Sequence, residues 1–463
     1  MSTVDGLPLL KRIMAIRRQR RQGPARLAEL AQERLRALMR HAAGLPLYQR
    51  LWEGLDLETA ELTDLPPLTK AQVQAELDDS LAAPGLSGQA VRAFTERPEN
   101  IGRLLNDRYI VTHTSGSSGS RAHFVQDLWG WQIGQALNTL HLLAALKGLP
   151  LDRLWPPWRL ALIAPARRHF TSLLVALHTP PIFGLLSRVQ IMDILDPLGR
   201  IIAGLNHLRP VTLHSYPTLL ARLAQAALDG ALKISPMLIT ASSEPFTPRA
   251  RRILARAWPR ARLVDVYAAS EATPIAWQCP AGGLHYNADW LILEPVDEAG
   301  RPVEPGCMGR ALYLTHLFNQ AQPLLRYRLD DQVRLLPAGC VCGSPLPRLE
   351  LGGRAEDDLR LPGAEGGWVS LAPIPLITAL EDCPAAVQLQ VVQEASDQLQ
   401  LRFVLAPGAE PGSTAAELGG LLAGYLRRQG VKRGVQIQIC HAQEIARDPQ
   451  TRKVKQVVNL VRE

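Results

Sequence analysis

Cysteine is scarce, with 6 in 463 residues. So few thiols exclude a disulfide-built scaffold. No apolar run approaches the ~18–20 residues needed to cross a bilayer as a helix. The opening stretch, MSTVDGLPLLKRIMAIRRQRRQ, carries charges inside its would-be apolar part, so a secretory signal is not expected. Nor is there a chain-wide excess of one charge. Residues 1–50 hold eleven Lys/Arg and three Asp/Glu, which accounts for the whole net charge of +8. A nucleic-acid enzyme would spread basic charge along a groove, so that class is disfavoured. A solvated helix face explains the basic stretch, with weak attraction to nucleic acid or an acidic partner as the sharper reading. What is present is a globular composition, 47% hydrophobic and 20% charged. That is enough for a sizeable core and excludes a disordered or fibrous chain. The length allows about three ordinary domains. The expectation is a cytoplasmic protein with no membrane partner.

Hydrophobic spacing places a helix over 24–43, where Leu27, Leu30, Leu35 and Leu38 recur at helical intervals. A turn and a short helix follow in 45–77. From about 108 to 270, short apolar strands alternate with helical stretches: YIVTHT, RLALIAPA, VQIMDIL, VTLHSY, MLITA and RLVDVY. Such alternation predicts a parallel sheet with right-handed crossovers and ligands beyond the carboxyl ends of its strands. After 285, LILEPV, ALYLTH and QVRLL alternate like antiparallel strands. LGGRAEDDLRLPG (351–363) looks like a boundary. Beyond it VQLQVV, LQLRFVL, a helix over 414–428 and VQIQIC predict a small α+β unit. The expected class is α/β: a large N-terminal domain, 1–353, with parallel-rich sheets and a small barrel-like part, opening with a helical segment over 1–80. A small mobile C-terminal α+β lid, 354–463, completes it.

Four polar turns could carry chemistry. THTSGSSGS (112–120) follows a strand, and its small residues could bring N–H groups and hydroxyls onto phosphate oxygens. It lacks the Walker pattern, and a plain turn is the alternative. YAASEA (267–272) ends a strand with Glu271, which could hold Mg²⁺ or simply belong to a helix start capped by Ser270. PLLRYRLDD places Asp330 and Asp331 after a strand, where a carboxylate can accept ribose hydroxyls or merely decorate a turn. GGRAEDD could be an acidic linker.

Taken in order, these segments resemble the adenylate-forming superfamily of acyl-CoA synthetases, adenylation domains and luciferases, in its phenylacetate–CoA ligase-like branch. THTSGSSG resembles the family's TSGTTGKP phosphate loop, and SSEP (242–245) its adenine-facing GAEP segment. YAASE resembles YGxTE, RYRLDD resembles RYRTGD, and GRAEDD resembles the GRSDD hinge. DPQTRKVKQVV resembles the terminal GKxxRV segment. ERLRALMRHAAGLPLYQRLW and LPPLTK resemble the family's N-terminal VPFYR and LPxTxK stretches. The likeness runs over roughly 33–460. Departures include Ser120-Arg121 in place of the loop lysine, Ala268 and Asp330 in place of glycines, and Arg452 before the terminal lysine.

The resemblance implies ATP-dependent activation of a carboxylic acid to an acyl-adenylate, with release of pyrophosphate and transfer to coenzyme A. An aromatic acid is one candidate. Loading of a carrier-protein thiol, transfer of AMP to another acceptor, and a degenerate nucleotide-binding protein are the alternatives. It implies nucleotide contacts from Thr114, Ser115, Gly116, Ser117, Ser118, Gly119, Ser243, Glu244, Pro245, Tyr267, Ala268, Ser270, Asp331 and Arg354. Glu271 would hold Mg²⁺. Lys453 would bridge the attacking carboxylate and the phosphate, with Lys455 as its rival. The lid would swing about Glu356 and Asp357. A homodimer stays open.

Cys279, His285, Cys340 and Cys342 form a sufficient tetrahedral zinc set by residue type, with Gly and Pro suited to tight metal turns. Free thiols are the alternative, although similar cysteine and histidine segments occur in ligases of this type. Cys307, Cys383 and Cys440 read as ordinary core thiols. His113 reads as a packed histidine or a contact to the substrate carboxylate. His214 and Tyr216 end a strand and are candidates for lining an acid pocket.

Overall fold

The computed structural model describes residues 6–82, 85–114, 121–150, 158–179, 187–449 and 451–461. The chain opens with helices Gly6–Arg20 and Pro24–Ala42, joined through Gly23 at φ 93°, a conformation that suits glycine. Pro24 starts the second helix at a position whose N–H would be unpaired anyway. Leu27, Ala31, Leu35, Leu38 and Met39 face inward from it. Part of the basic stretch points inward too. Arg20 donates to Asp289 at 2.9 Å and to Asn287 at 2.9 Å. Arg34 lies 3.5 Å over the Trp290 ring. These arginines fasten the N-terminal helices to the body instead of forming a wholly solvated face.

Among the described residues the largest sheet has nine strands. Its parallel half is ordered Ser187–Asp193, Trp158–Ala164, Thr212–Ser215, Leu238–Ser242, Arg262–Tyr267. It continues antiparallel through Ala276–Gln278, Leu284–Tyr286, Arg348–Arg354 and Asp331–Leu336. Helices Leu198–Leu208, Pro217–Leu228 and Pro248–Ala257 cover one face through Ile201, Leu205, Leu220, Leu223 and Leu254. A three-stranded antiparallel sheet, Leu291–Val296, Ala311–His316 and Tyr327–Leu329, packs into a second core with the N-terminal helices.

Past Arg354, a short 3₁₀ turn Ala355–Asp357 leads to a hairpin and then a four-stranded sheet. That sheet pairs Ala386–Ala395, Gln398–Leu405, Gln436–His441 and Val457–Asn459, backed by helix Pro411–Arg428. Its core runs from Leu359 to Val457 as one cluster. Among the described residues, no helix is long and apolar enough to cross a membrane.

Candidate active site

The parallel strands deliver their carboxyl ends to one cleft of about 1820 Å³. Tyr267 ends the strand Arg262–Tyr267, and its hydroxyl donates to Asp331 Oδ2 at 2.7 Å. The Arg354 Nε donates to Asp331 Oδ1 at 3.3 Å, and its Nη1 to Glu356 at 3.2 Å. Asp331, first among its neighbours, holds the Arg354 guanidinium firmly protonated. Residues from three motif segments therefore form one hydrogen-bonded group: 267, 331 and 354. Glu271 lies beside them, 7% exposed, accepting from the Tyr327 hydroxyl at 3.3 Å. Burial pushes its carboxyl above the usual range, while Arg354 opposes that shift. Ala268 and Ser270 line the same cleft. Ser242, Ser243, Glu244 and Pro245 line it from the adjacent strand end, with Ser243 at φ 71°.

Thr114 also borders the cleft, pairing with Ala122 through N–H to carbonyl at 2.9 Å and through its hydroxyl at 3.0 Å. Ser115, Gly116, Ser117, Ser118 and Gly119 lie outside the described residues. His113 is buried, its Nδ1 2.9 Å from the Thr114 carbonyl, and burial lowers its pKa to about 4. It is a packed histidine.

The terminal tail reaches the cleft from the small C-terminal sheet. Asp448 shapes it by accepting from the Thr451 N–H at 2.7 Å and hydroxyl at 2.8 Å, and its own N–H donates to the Lys453 carbonyl. Residues 452–455 form no strand, so Lys453 and Lys455 part company. Lys453 lines the cleft with its ammonium 5.6 Å from the Tyr216 ring centre. Burial, then the Arg354 charge, lowers its pKa. Lys455 also borders the cleft, but it is exposed and its ammonium donates to Asp357 at 3.0 Å, on the expected hinge.

Glu244 takes a part its motif does not announce. Its Oε2 accepts from the Thr218 N–H and its Oε1 from the Val454 N–H, each at 3.1 Å. A half-buried carboxylate thus ties the body to the residue next to Lys453. Burial raises its pKa, partly offset by the bonds from Thr218. The bond to Val454 spans 210 residues, so no local pattern could reveal it.

Away from the cleft floor, Cys279, His285, Cys340 and Cys342 converge, their ligand atoms all within 4.8 Å of one another. Cys279 Sγ and Cys340 Sγ are 3.7 Å apart, and Cys342 Sγ is 3.3 Å from His285 Nε2. The hairpin turn at 279–283 and the adjoining strand pairing of 284–285 with 348–349 bring the halves together. Of the remaining thiols, Cys383 is buried, Cys440 half-buried and Cys307 exposed, so Cys307 is no core thiol.

The fold is that of the adenylate-forming enzymes. The chain aligns with a 2-hydroxyisobutyryl-CoA ligase in its postadenylation state with 2-HIB-AMP at a TM-score of 0.70 and 18% identity, covering 94% of this chain and 89% of that one. The same ligase with 2-HIB-AMP and CoA in the thioesterification state gives 0.57 at 19% identity, covering 95% and 91%. An anthranilate CoA ligase, AuaEII, with anthranoyl-AMP gives 0.52 at 15% identity, covering 74% and 64%. In sequence, the chain is 29% identical to protein CapK of Staphylococcus aureus over 136 residues, which is 29% of this chain and 28% of CapK. The alignment thus spans less than a third of that relative's length. No protein-family model matches the chain.

Proposed function

We propose that this protein uses ATP to convert a carboxylic acid to an acyl-adenylate, releasing pyrophosphate, and then transfers the acyl group to coenzyme A. The observation that carries the reading is the meeting of Lys453 with the Tyr267–Asp331–Arg354 group and Glu271 in one cleft. Phosphoryl chemistry asks the protein chiefly for positioning and charge stabilisation. Asp331, anchored by Tyr267 and Arg354, accepts the ribose hydroxyls. The strand-end segment 243–245 lies against the adenine. The acid's carboxylate oxygen attacks the α-phosphorus, and the pyrophosphate oxygen leaves. The Lys453 ammonium faces the charge that gathers on the phosphate as the bond forms.

Glu271 fits a divalent cation, because it is a hard oxygen ligand buried beside the phosphate side of the cleft. Bound there, Mg²⁺ would neutralise phosphate charge. The thiol cluster fits zinc. Tetrahedral Zn–S bonds of about 2.3 Å place sulfurs roughly 3.8 Å apart, and Cys279 and Cys340 stand at 3.7 Å. His285 Nδ1 is 2.7 Å from the Leu346 carbonyl, which leaves Nε2 for the metal. Four protein ligands make a closed, structural site.

The chain as a whole aligns better with the postadenylation ligase than with the thioesterification one, by TM-scores of 0.70 against 0.57. We read residues 354–463 as a lid that turns about Glu356 and Asp357, withdrawing Lys453 and admitting the thiol. The test is ATP–pyrophosphate exchange over a panel of acids, followed by product mass with and without CoA. Exchange with no acid would end the reading. Exchange without acyl-CoA would leave adenylation and remove CoA as acceptor.

A further inference from the structure

The cleft does not stop at the Lys453 ammonium. It continues between one face of the parallel sheet and helix Leu128–Leu146. On the sheet side Thr212, His214 and Tyr216 alternate along one wall, which at about 3.3 Å per residue is roughly 13 Å long. Tyr216 is the end beside Lys453. Trp158, whose Nε1 donates to Thr212 Oγ1 at 2.9 Å, marks the other end. The lining stretch of the helix, Gln135 to Leu143, covers about 12 Å at 1.5 Å per residue. Near its start, a Cβ on Gly134 would stand 2.7 Å from the Thr273 carbonyl, next to Glu271's loop. Near its end, the Lys147 carbonyl accepts from Arg262, the first residue of its strand, at 2.8 Å. Asn138 and Thr139 lie midway along the facing stripe, with Leu142 and Leu143 beyond them.

We infer that this extension is an acyl channel and that the acid is an unbranched, long-chain aliphatic one. The inference rests on the acid-activating reading above and names its substrate class. Much of the polar chemistry on the walls is already paired. His214 bonds Thr240 at 2.7 Å, Gln135 donates to the Val175 carbonyl at 3.0 Å, and Thr139 donates to the Gln135 carbonyl at 2.8 Å. Leu142, Leu160, Leu162 and Val175 supply apolar wall between them. Among the described residues the far end is open: Leu143 is 51% and Val189 36% exposed. A compact aryl acid would occupy only the stretch next to Tyr216 and leave the remaining apolar wall wet. A hydrocarbon chain removes that wall from water along its length.

The test uses the full chain in pyrophosphate exchange with acetate, phenylacetate, octanoate, dodecanoate and hexadecanoate. The expected result is a kcat/KM that rises by about three- to fourfold per methylene until the channel is filled. Highest activity with acetate or phenylacetate, with no gain along the aliphatic series, overturns the inference and leaves adenylation standing. A binding measurement needs no catalysis: cis-parinaric acid in the channel should accept energy from Trp158 and Trp277, which line it. Asn138→Phe should lower the dodecanoate-to-acetate ratio about tenfold or more by blocking the middle, with far-UV circular dichroism reporting the fold. If no acid exchanges while parinarate binds and Asn138→Phe prevents it, the channel stands and the adenylation reading falls. If Asn138→Phe changes only the KM for CoA, the channel is the thiol's path and the inference is wrong.

Discussion

Two lysines two residues apart meet different fates, and that difference can be measured. Lys453 lies in the cleft and Lys455 on Asp357. Lys453→Ala should slow adenylate formation by about 10²–10³, since an ammonium aimed at developing charge acts on the transition state. Thioester formation from preformed acyl-AMP should survive. Lys455→Ala loses a half-exposed ion pair worth at most about 1 kcal/mol and should be mild in adenylation. Single-turnover assays of both half-reactions decide, and the reverse pattern would move the catalytic assignment to Lys455. Glu244→Gln tests the tether to Val454. An amide can accept only one of the two N–H bonds and turns a donor toward the other. Adenylation should fall about tenfold, in line with about 1–3 kcal/mol for a buried donor left unpaired, while the second half-reaction is spared. An equal loss in both would mean general damage instead of positioning. Both assignments show what was legible in sequence. Lys453, Glu271, Asp331 and Arg354 stand in contiguous segments whose order carries information. Glu244's bond to Val454 and the channel wall do not, because alternate residues from several strands build the wall and none is unusual by itself.

At the scale of elements, the alternation of strands and helices over 158–267 marked the parallel half of the sheet, and period-two alternation marked the strands after 285; YIVTHT does not join that sheet, because Tyr109–His113 pairs antiparallel with His123–Asp127 in a separate two-stranded one. Boundaries moved by a few residues: VQIMDIL became Ser187–Asp193, set by its pairing with Trp158–Ala164, and the helix expected at 414 starts at Pro411, where the Glu410 side chain accepts from the Ser413 N–H. The sheet's antiparallel extension was less visible, since Ala276–Gln278 and Leu284–Tyr286 are three residues each. That short hairpin carries half of the thiol cluster, which gives the element its own test. Protein purified without chelator should contain about one equivalent of zinc. Cys340→Ser should lower the melting temperature more than it lowers adenylation, because the ligands sit outside the Tyr267–Asp331–Arg354 group. Less than about a tenth of an equivalent, with all four positions' thiols freely titratable where present, would mean ordinary cysteines.

For the molecule as a whole, burial leaves a pH signature. Asp265 sits on the strand leading to Tyr267, and burial pushes its carboxyl up to about 6, opposed by Arg251. A carboxyl raised on folding favours the protonated state. Its contribution is therefore fully present below the unfolded value near 3.9 and is lost as pH rises through about 6. Asp265→Asn should then gain stability relative to the parent as pH increases, by up to about 3 kcal/mol at pH 8. Melting curves from pH 4.5 to 8 measure it, and a constant difference across that range would refute the buried-carboxyl account. Global stability and the lid are coupled at one further place. The Val391 N–H bonds the Gln456 carbonyl at 2.8 Å, the Gln390 amide bonds the Lys455 carbonyl at 2.8 Å, and Val391 is in register with Val457. The tail is thus indexed to the small sheet like a toothed rack to its wheel, with Lys453 a fixed number of teeth away. One residue inserted between Lys455 and Gln456 would leave the pairing of Val457–Asn459 intact yet break the Gln390–Lys455 bond and shift the lysine's register against the small sheet. Spacing in this tail is therefore as much a catalytic property as the lysine itself.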